Sequence, residues 1–147
     1  MWLADGTFST APHQFMQLYS IHGLYHGSVY PFVYMFMTKR TQAMYSALLA
    51  SLVKTAADRF NIVLQPTNIS TDFEKAAINA LEEVFTTAVV TGCHFHLGQS
   101  VIRKVNELGL KNTYQRDKDF ALKARMLYGL AYLPVQPEKF HLGLIMI

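Results

Sequence analysis

A change of hydrophobic period near residue 40 constrains this chain more than any other feature. Up to Met37 the apolar residues come in short blocks rich in Val, Tyr and Phe, such as Val29 to Met37, "VYPFVYMFM", which suit a pleated strand. From Thr41 onward Met44, Tyr45, Leu48, Leu49, Leu52, Val53, Ala56, Ala57 and Phe60 form a helical stripe about five turns long. Thr41 is a natural N-cap for it. Upstream, Trp2 to Ala4 reads as a short strand ending at Asp5-Gly6, and Phe15 to His22 as a second strand. Gly23 and Gly27 are turn signals, and Val29 to Met37 is the third strand. Pro31 has no N–H for a ladder, which suggests an edge or a bulge. Three strands with short links predict an antiparallel meander.

Downstream of the stripe, strands and helices alternate. Thr67 to Thr71 reads as a fourth strand. A second helix follows with Phe73, Ala76, Ala77, Ala80, Leu81 and Val84 on one face. Ala88 to Thr91 is a short fifth strand, and helices are predicted over His96 to Leu108 and Phe120 to Leu133. A meander followed by strand–helix–strand units predicts an α/β fold with a mixed sheet and helices packed on its faces. The right-handed crossover rule lets the fourth strand lie parallel beside the first.

Composition narrows the class. The chain has 147 residues, 51% hydrophobic and 16% charged, which fits one domain with a sizeable core and argues against disorder. No apolar run approaches the ~20 residues that span a bilayer, and no signal peptide is evident in the first twenty residues. The single cysteine, Cys93, excludes an internal disulfide and fits a reducing compartment. The sequon Asn68-Ile69-Ser70 falls in a buried-strand pattern and reads as chance. The formal charge of +3 says little alone. Between Arg103 and Arg125, however, seven basic residues stand against three acids, either a solvated helical face or a phosphate-facing surface. The apolar finish "FHLGLIMI" reads as that of a fragment truncated at its C-terminus.

Two acids sit where strands give way. Asp5 precedes Gly6 and reads on its own as a turn aspartate. Asp72 lies in Thr71-Asp72-Phe73-Glu74, which matches a capping box with Thr71 as N-cap and Glu74 at N3. Taken together they suggest something else. If the first and fourth strands are parallel neighbours, both carboxylates leave the sheet at one edge, ~4.8 Å between strands. Such a pair is costly without a cation. Mg²⁺ suits it, with hard oxygen ligands and waters that exchange for phosphate oxygens.

Three quoted stretches resemble a known family. "WLADGTFSTAPHQFMQLYSIHG" looks like the opening of the Mutator-like element (MULE) transposase domain. "ISTDFEKAAINALEEVF" resembles its second acidic motif. "VTGCHFHLGQSVIRKVNELGL" is similar to the segment that follows, and Gly129-Leu130-Ala131-Tyr132-Leu133-Pro134 continues the likeness. The resemblance implies an RNase H-like five-stranded mixed sheet with the start of a helical insertion at the C-terminus. It also implies DDE-type chemistry: metal-dependent phosphodiester hydrolysis and strand transfer, with two Mg²⁺ or Mn²⁺ ions, on transposon ends and target DNA, in the nucleus. A homo-oligomer is compatible with it, and a membrane is not. The first acid falls on Asp5 and the second on Asp72, as catalytic and metal-binding residues. The third, a glutamate, has no evident counterpart: Glu82 and Glu83 come too early, and Glu107, Asp117, Asp119 and Glu138 fall at the start of the insertion. The third acid is expected beyond Ile147, so that the chain alone is inactive.

The family's C-x-x-H motif falls on Cys93 and His96. Spacing alone makes no zinc site, since structural zinc takes four ligands and His13, His22, His26 and His141 show no pairing pattern. The motif either packs the sheet or positions the active-site loop or DNA; His94 is given no role. Arg103, Lys104, Lys111 and Arg116 are the candidates for DNA-backbone contacts. The alternative to a transposase is a transposase-derived nuclear protein that binds DNA or partners without cleaving.

Overall fold

The computed structural model describes residues 1–133. Glu138, His141 and the end of the 129–134 stretch lie outside them. The chain divides into two compact units, Met1–His96 and the residues from Leu97 onward, and each is described by itself.

The first unit is a five-stranded sheet with two helices. Its strands are β1 (Trp2–Thr7), β2 (Gln17–Tyr25), β3 (Ser28–Met37), β4 (Asn68–Thr71) and β5 (Val89–Gly92), in the order β3-β2-β1-β4-β5. The first three are antiparallel, and β4 and β5 add in parallel beside β1. This is the α/β, RNase H-like arrangement expected. Helix α1 (Gln42–Phe60) links β3 to β4, and α2 (Lys75–Val84) links β4 to β5.

The core lies between one face of the sheet and these helices. Tyr19, Ile21, Met37, Tyr45, Leu49, Ile69 and Leu81 are fully buried in it. Each aliphatic side chain among them contributes about 1.5–3 kcal/mol through its burial. Ala77 and Ala80 are also buried, where small side chains let α2 approach closely. Thr41 caps α1 as expected, its hydroxyl accepting from the Met44 N–H at 3.3 Å. The stripe ends before Phe60, which is exposed, and Asn61 closes the helix in the left-handed conformation.

Several local expectations change. The hairpin between β2 and β3 turns at His26-Gly27, both at positive φ, the signature of a two-residue turn matched to strand twist. Gly23 lies inside β2 instead, where a Cβ would come within 2.8 Å of the Phe32 ring. Pro31 does mark an edge and an irregularity: β3 is the outermost strand, and its register slips opposite Ile21/His22. The capping box does not form. Helix α2 starts at Lys75, after an N-cap at Glu74 with no side-chain bond, and the Thr71 hydroxyl pairs with the Tyr19 hydroxyl at 3.3 Å. Asn68 of the sequon is exposed, but Ile69 and Ser70 are buried in β4.

The second unit is helical. Helix α3 (His94–Glu107) starts in the first unit and runs into it. Helix α4 (Lys111–Arg116), which the periodicity did not suggest, is followed by α5 (Lys118–Gly129) and a 3₁₀ turn, Leu130–Tyr132. The Asp117 carboxylate caps α5 by accepting from the N–H groups of Asp119 and Phe120. No helix among the described residues is long and apolar enough to cross a membrane.

Candidate active site

The site begins with the register of the parallel pair. Trp2 lies opposite Ile69, Leu3 opposite Ser70 and Ala4 opposite Thr71. Asp5 and Asp72 are the residues that directly follow this last pair, and β4 ends at Thr71. Ala4 and Thr71 are buried on the core face. Because successive residues point to opposite faces, Asp5 leaves the sheet on the other face. Asp72 follows the last paired residue of β4, at the carboxyl end of the parallel strands, where open α/β sheets take their ligands.

Asp5 is not a turn residue. Strand β1 continues through it, because β2 still pairs there: Asp5 with Ser20, Gly6 with Tyr19 and Thr7 with Leu18. On the opposite flank β4 has already ended at Thr71. Asp5 is therefore held on one side by an antiparallel ladder and left open on the other, with its side chain about half exposed at 49%. Gly6 serves packing. A Cβ there would lie 2.8 Å from the Gln17 Oε1. Gln17 is fully buried, donating to the Tyr45 hydroxyl at 2.5 Å and to the Met37 sulfur at 3.2 Å. Burial pushes the Tyr45 phenol up to about 12, and the Tyr19 phenol upward as well.

Asp72 is oriented from its C-terminal side. Its Oδ1 accepts the Glu74 N–H at 3.2 Å, an Asx turn that bends the chain from β4 towards α2. The Glu74 carboxylate, expected to reach back to the helix start, instead takes the Arg40 guanidinium. No sequence signal linked those two residues.

The C-x-x-H motif touches both acid-bearing strands. The Cys93 N–H donates to the Thr71 carbonyl at 2.7 Å, one step past the paired end of β5. That bond fixes the chain as it enters α3. One turn on, His96 Nε2 lies 3.7 Å from Asp5 Oδ1, too far for a hydrogen bond but close enough for charge attraction when the imidazole is protonated. Cys93 and His96 do not gather further ligands: no group of three or more His, Cys, Asp or Glu residues that could hold a metal occurs among the described residues.

A model of the MULE transposase domain matches residues 1–100. The chain belongs to the MULE transposase domain family. The matched span contains all five strands, both helices on the sheet, Asp5, Asp72 and the C-x-x-H motif, so it gives the chain a transposase-related function. The basic residues lie beyond it: Arg103 and Lys104 on α3, Lys111 and Arg116 on α4. Arg103, Lys111 and Arg116 are exposed, and Lys104 stands 3.4 Å from Glu107. A search of curated proteins finds no match.

Proposed function

We propose that the sheet edge carrying Asp5 and Asp72 is the cation-binding part of a DNA transposase core acting on phosphodiester bonds. The observation that supports this most is the parallel β1–β4 pairing, whose last pair, Ala4 with Thr71, immediately precedes the two acids in each segment. The donor set fits a single Mg²⁺ or Mn²⁺: two carboxylates suffice for an ion that keeps several waters and takes substrate phosphate oxygens. It does not supply a full two-ion site, because a third ligand is absent among the described residues.

In this reading Asp5, within β1, and Asp72, just past the end of β4, hold the ion between them. The Glu74 N–H orients the Asp72 carboxylate, and His96 Nε2 stands 3.7 Å from Asp5 Oδ1. When bound, the ion would polarise the phosphodiester and stabilise the leaving oxygen. Water as nucleophile gives strand cleavage, and a freed 3′-hydroxyl gives strand transfer. Arg103, Lys104, Lys111 and Arg116 supply cations for DNA phosphates, and the work belongs in the nucleus.

A second reading, a transposase-derived protein that binds DNA without cutting it, draws on the exposed Arg103, Lys111 and Arg116, which serve binding whether or not cleavage follows. Because the chain alone is expected not to cut DNA, Mn²⁺ binding separates them, measured on the chain beside Asp5→Asn and Asp72→Asn. Mn²⁺ affinity lost in both variants supports the cation-holding core. DNA binding by a chain that takes up no Mn²⁺ supports the second.

A further inference from the structure

We infer that Arg40 is a positioning residue that fastens together the two acid-bearing segments of the site. Arg40 lies in the link between β3 and α1, far from either acid in sequence. Its Nε and Nη2 both donate to Glu74 Oε2, at 3.0 and 2.5 Å. Glu74 is the residue whose backbone N–H holds the Asp72 carboxylate. The same guanidinium lies over the Phe8 ring, 4.7 Å from its centroid. Phe8 directly follows β1, three residues after Asp5. One cation thus grips the segment leaving β4 and the segment leaving β1, just beyond each acid.

The geometry gives this grip a purpose. Residues Asp72 to Glu74 form no helix or strand, so the Asp72 carboxylate is placed by a single hydrogen bond to the Glu74 backbone. A free Glu74 would let that backbone swing. The Glu74 side chain is only 13% exposed, and charge-assisted bonds of this kind are shorter and stronger than neutral ones. The Glu74 contact also raises the Arg40 pKa further above its ordinary range, so the guanidinium stays charged at any working pH. Arg40 ties Phe8, just past the end of β1, to Glu74, two residues past Asp72.

The inference rests on the reading that Asp5 and Asp72 bind a divalent cation. It is tested by titrating Mn²⁺ into the chain, Arg40→Gln, Glu74→Ala and the double variant, with urea unfolding run in parallel. Outer-shell partners of metal ligands typically cost about 10–100-fold in affinity when removed. We expect each single variant to lose about tenfold in Mn²⁺ affinity while still unfolding cooperatively. The double variant should be no worse than either single one, since both break the same chain of contacts. Mn²⁺ affinity unchanged in Arg40→Gln and Glu74→Ala would overturn the positioning role alone. No Mn²⁺ binding by the unaltered chain would overturn the cation-site reading beneath it. Should Arg40→Gln not fold, Glu74→Ala, whose backbone N–H is retained, decides the matter.

Discussion

His96 Nε2 stands 3.7 Å from Asp5 Oδ1, joining the first turn of α3 to the middle of β1. The contact follows from two local facts. Cys93 is docked on Thr71 through its backbone, and one helical turn carries His96 back over the sheet. Its worth to folding is small, because ion pairs at exposed carboxylates contribute about 0–1 kcal/mol. His96→Ala is therefore expected to change unfolding free energy by less than ~1 kcal/mol in urea titrations. A loss above ~2 kcal/mol would mean that His96 is part of the core and not of the site.

Gly6 provides a sharper stability test. A Cβ at this position meets the oxygen of a fully buried glutamine, and the Gln17 side chain is held in place by Tyr45 and Met37. Gly6→Ala should cost about 1–3 kcal/mol through overpacking, seen as a lowered urea midpoint with an unchanged slope. A neutral outcome would show that Gln17 can move aside.

The two threonines that read as helix caps should behave differently. Thr41→Ala removes a formed cap and should cost about 1 kcal/mol. Thr71→Val removes no cap, but it leaves the buried Tyr19 hydroxyl without its partner, a loss of about 1–3 kcal/mol. Equal helical content in Thr71→Val and the unaltered chain, by far-ultraviolet circular dichroism, would match α2 starting without it.

These contrasts show what the sequence could and could not reveal. The switch from blocks of Val, Tyr and Phe to the Met44–Ala57 stripe carried the sheet and α1, because burial on one face leaves its period in the residues. The parallel placement of β4 beside β1 was legible for another reason: strand order follows from general connection rules. Local signals failed where distant partners decide. Asp5-Gly6 looks like a turn unless it is known that β2 pairs through it. Thr71-Asp72-Phe73-Glu74 looks like a capping box until Tyr19 takes the threonine and Arg40 takes the glutamate. Helix α4 is six residues long with no buried side chain, so it left no periodicity to read.

Alkaline pH should weaken the fold. Burial raises the Tyr45 phenol from its ordinary value near 10 to about 12, and Tyr19 shifts in the same direction. The folded state then holds protons that the unfolded chain has released. This tyrosine contribution should be constant below pH ~10 and fall as pH rises from about 10 towards 12. Urea midpoints taken across this range should decline less steeply in Tyr45→Phe. Equal slopes in the two chains would remove Tyr45 from the explanation.

The central claim is that Asp5 and Asp72 share one cation, and paramagnetic broadening by Mn²⁺ tests it most directly. In amide spectra of the chain, sub-stoichiometric Mn²⁺ should broaden the signals of Asp5 and Asp72 together. Asp72→Asn should remove the broadening at Asp5. Broadening at only one of the two, or broadening at Asp5 that survives Asp72→Asn, would contradict a shared ion.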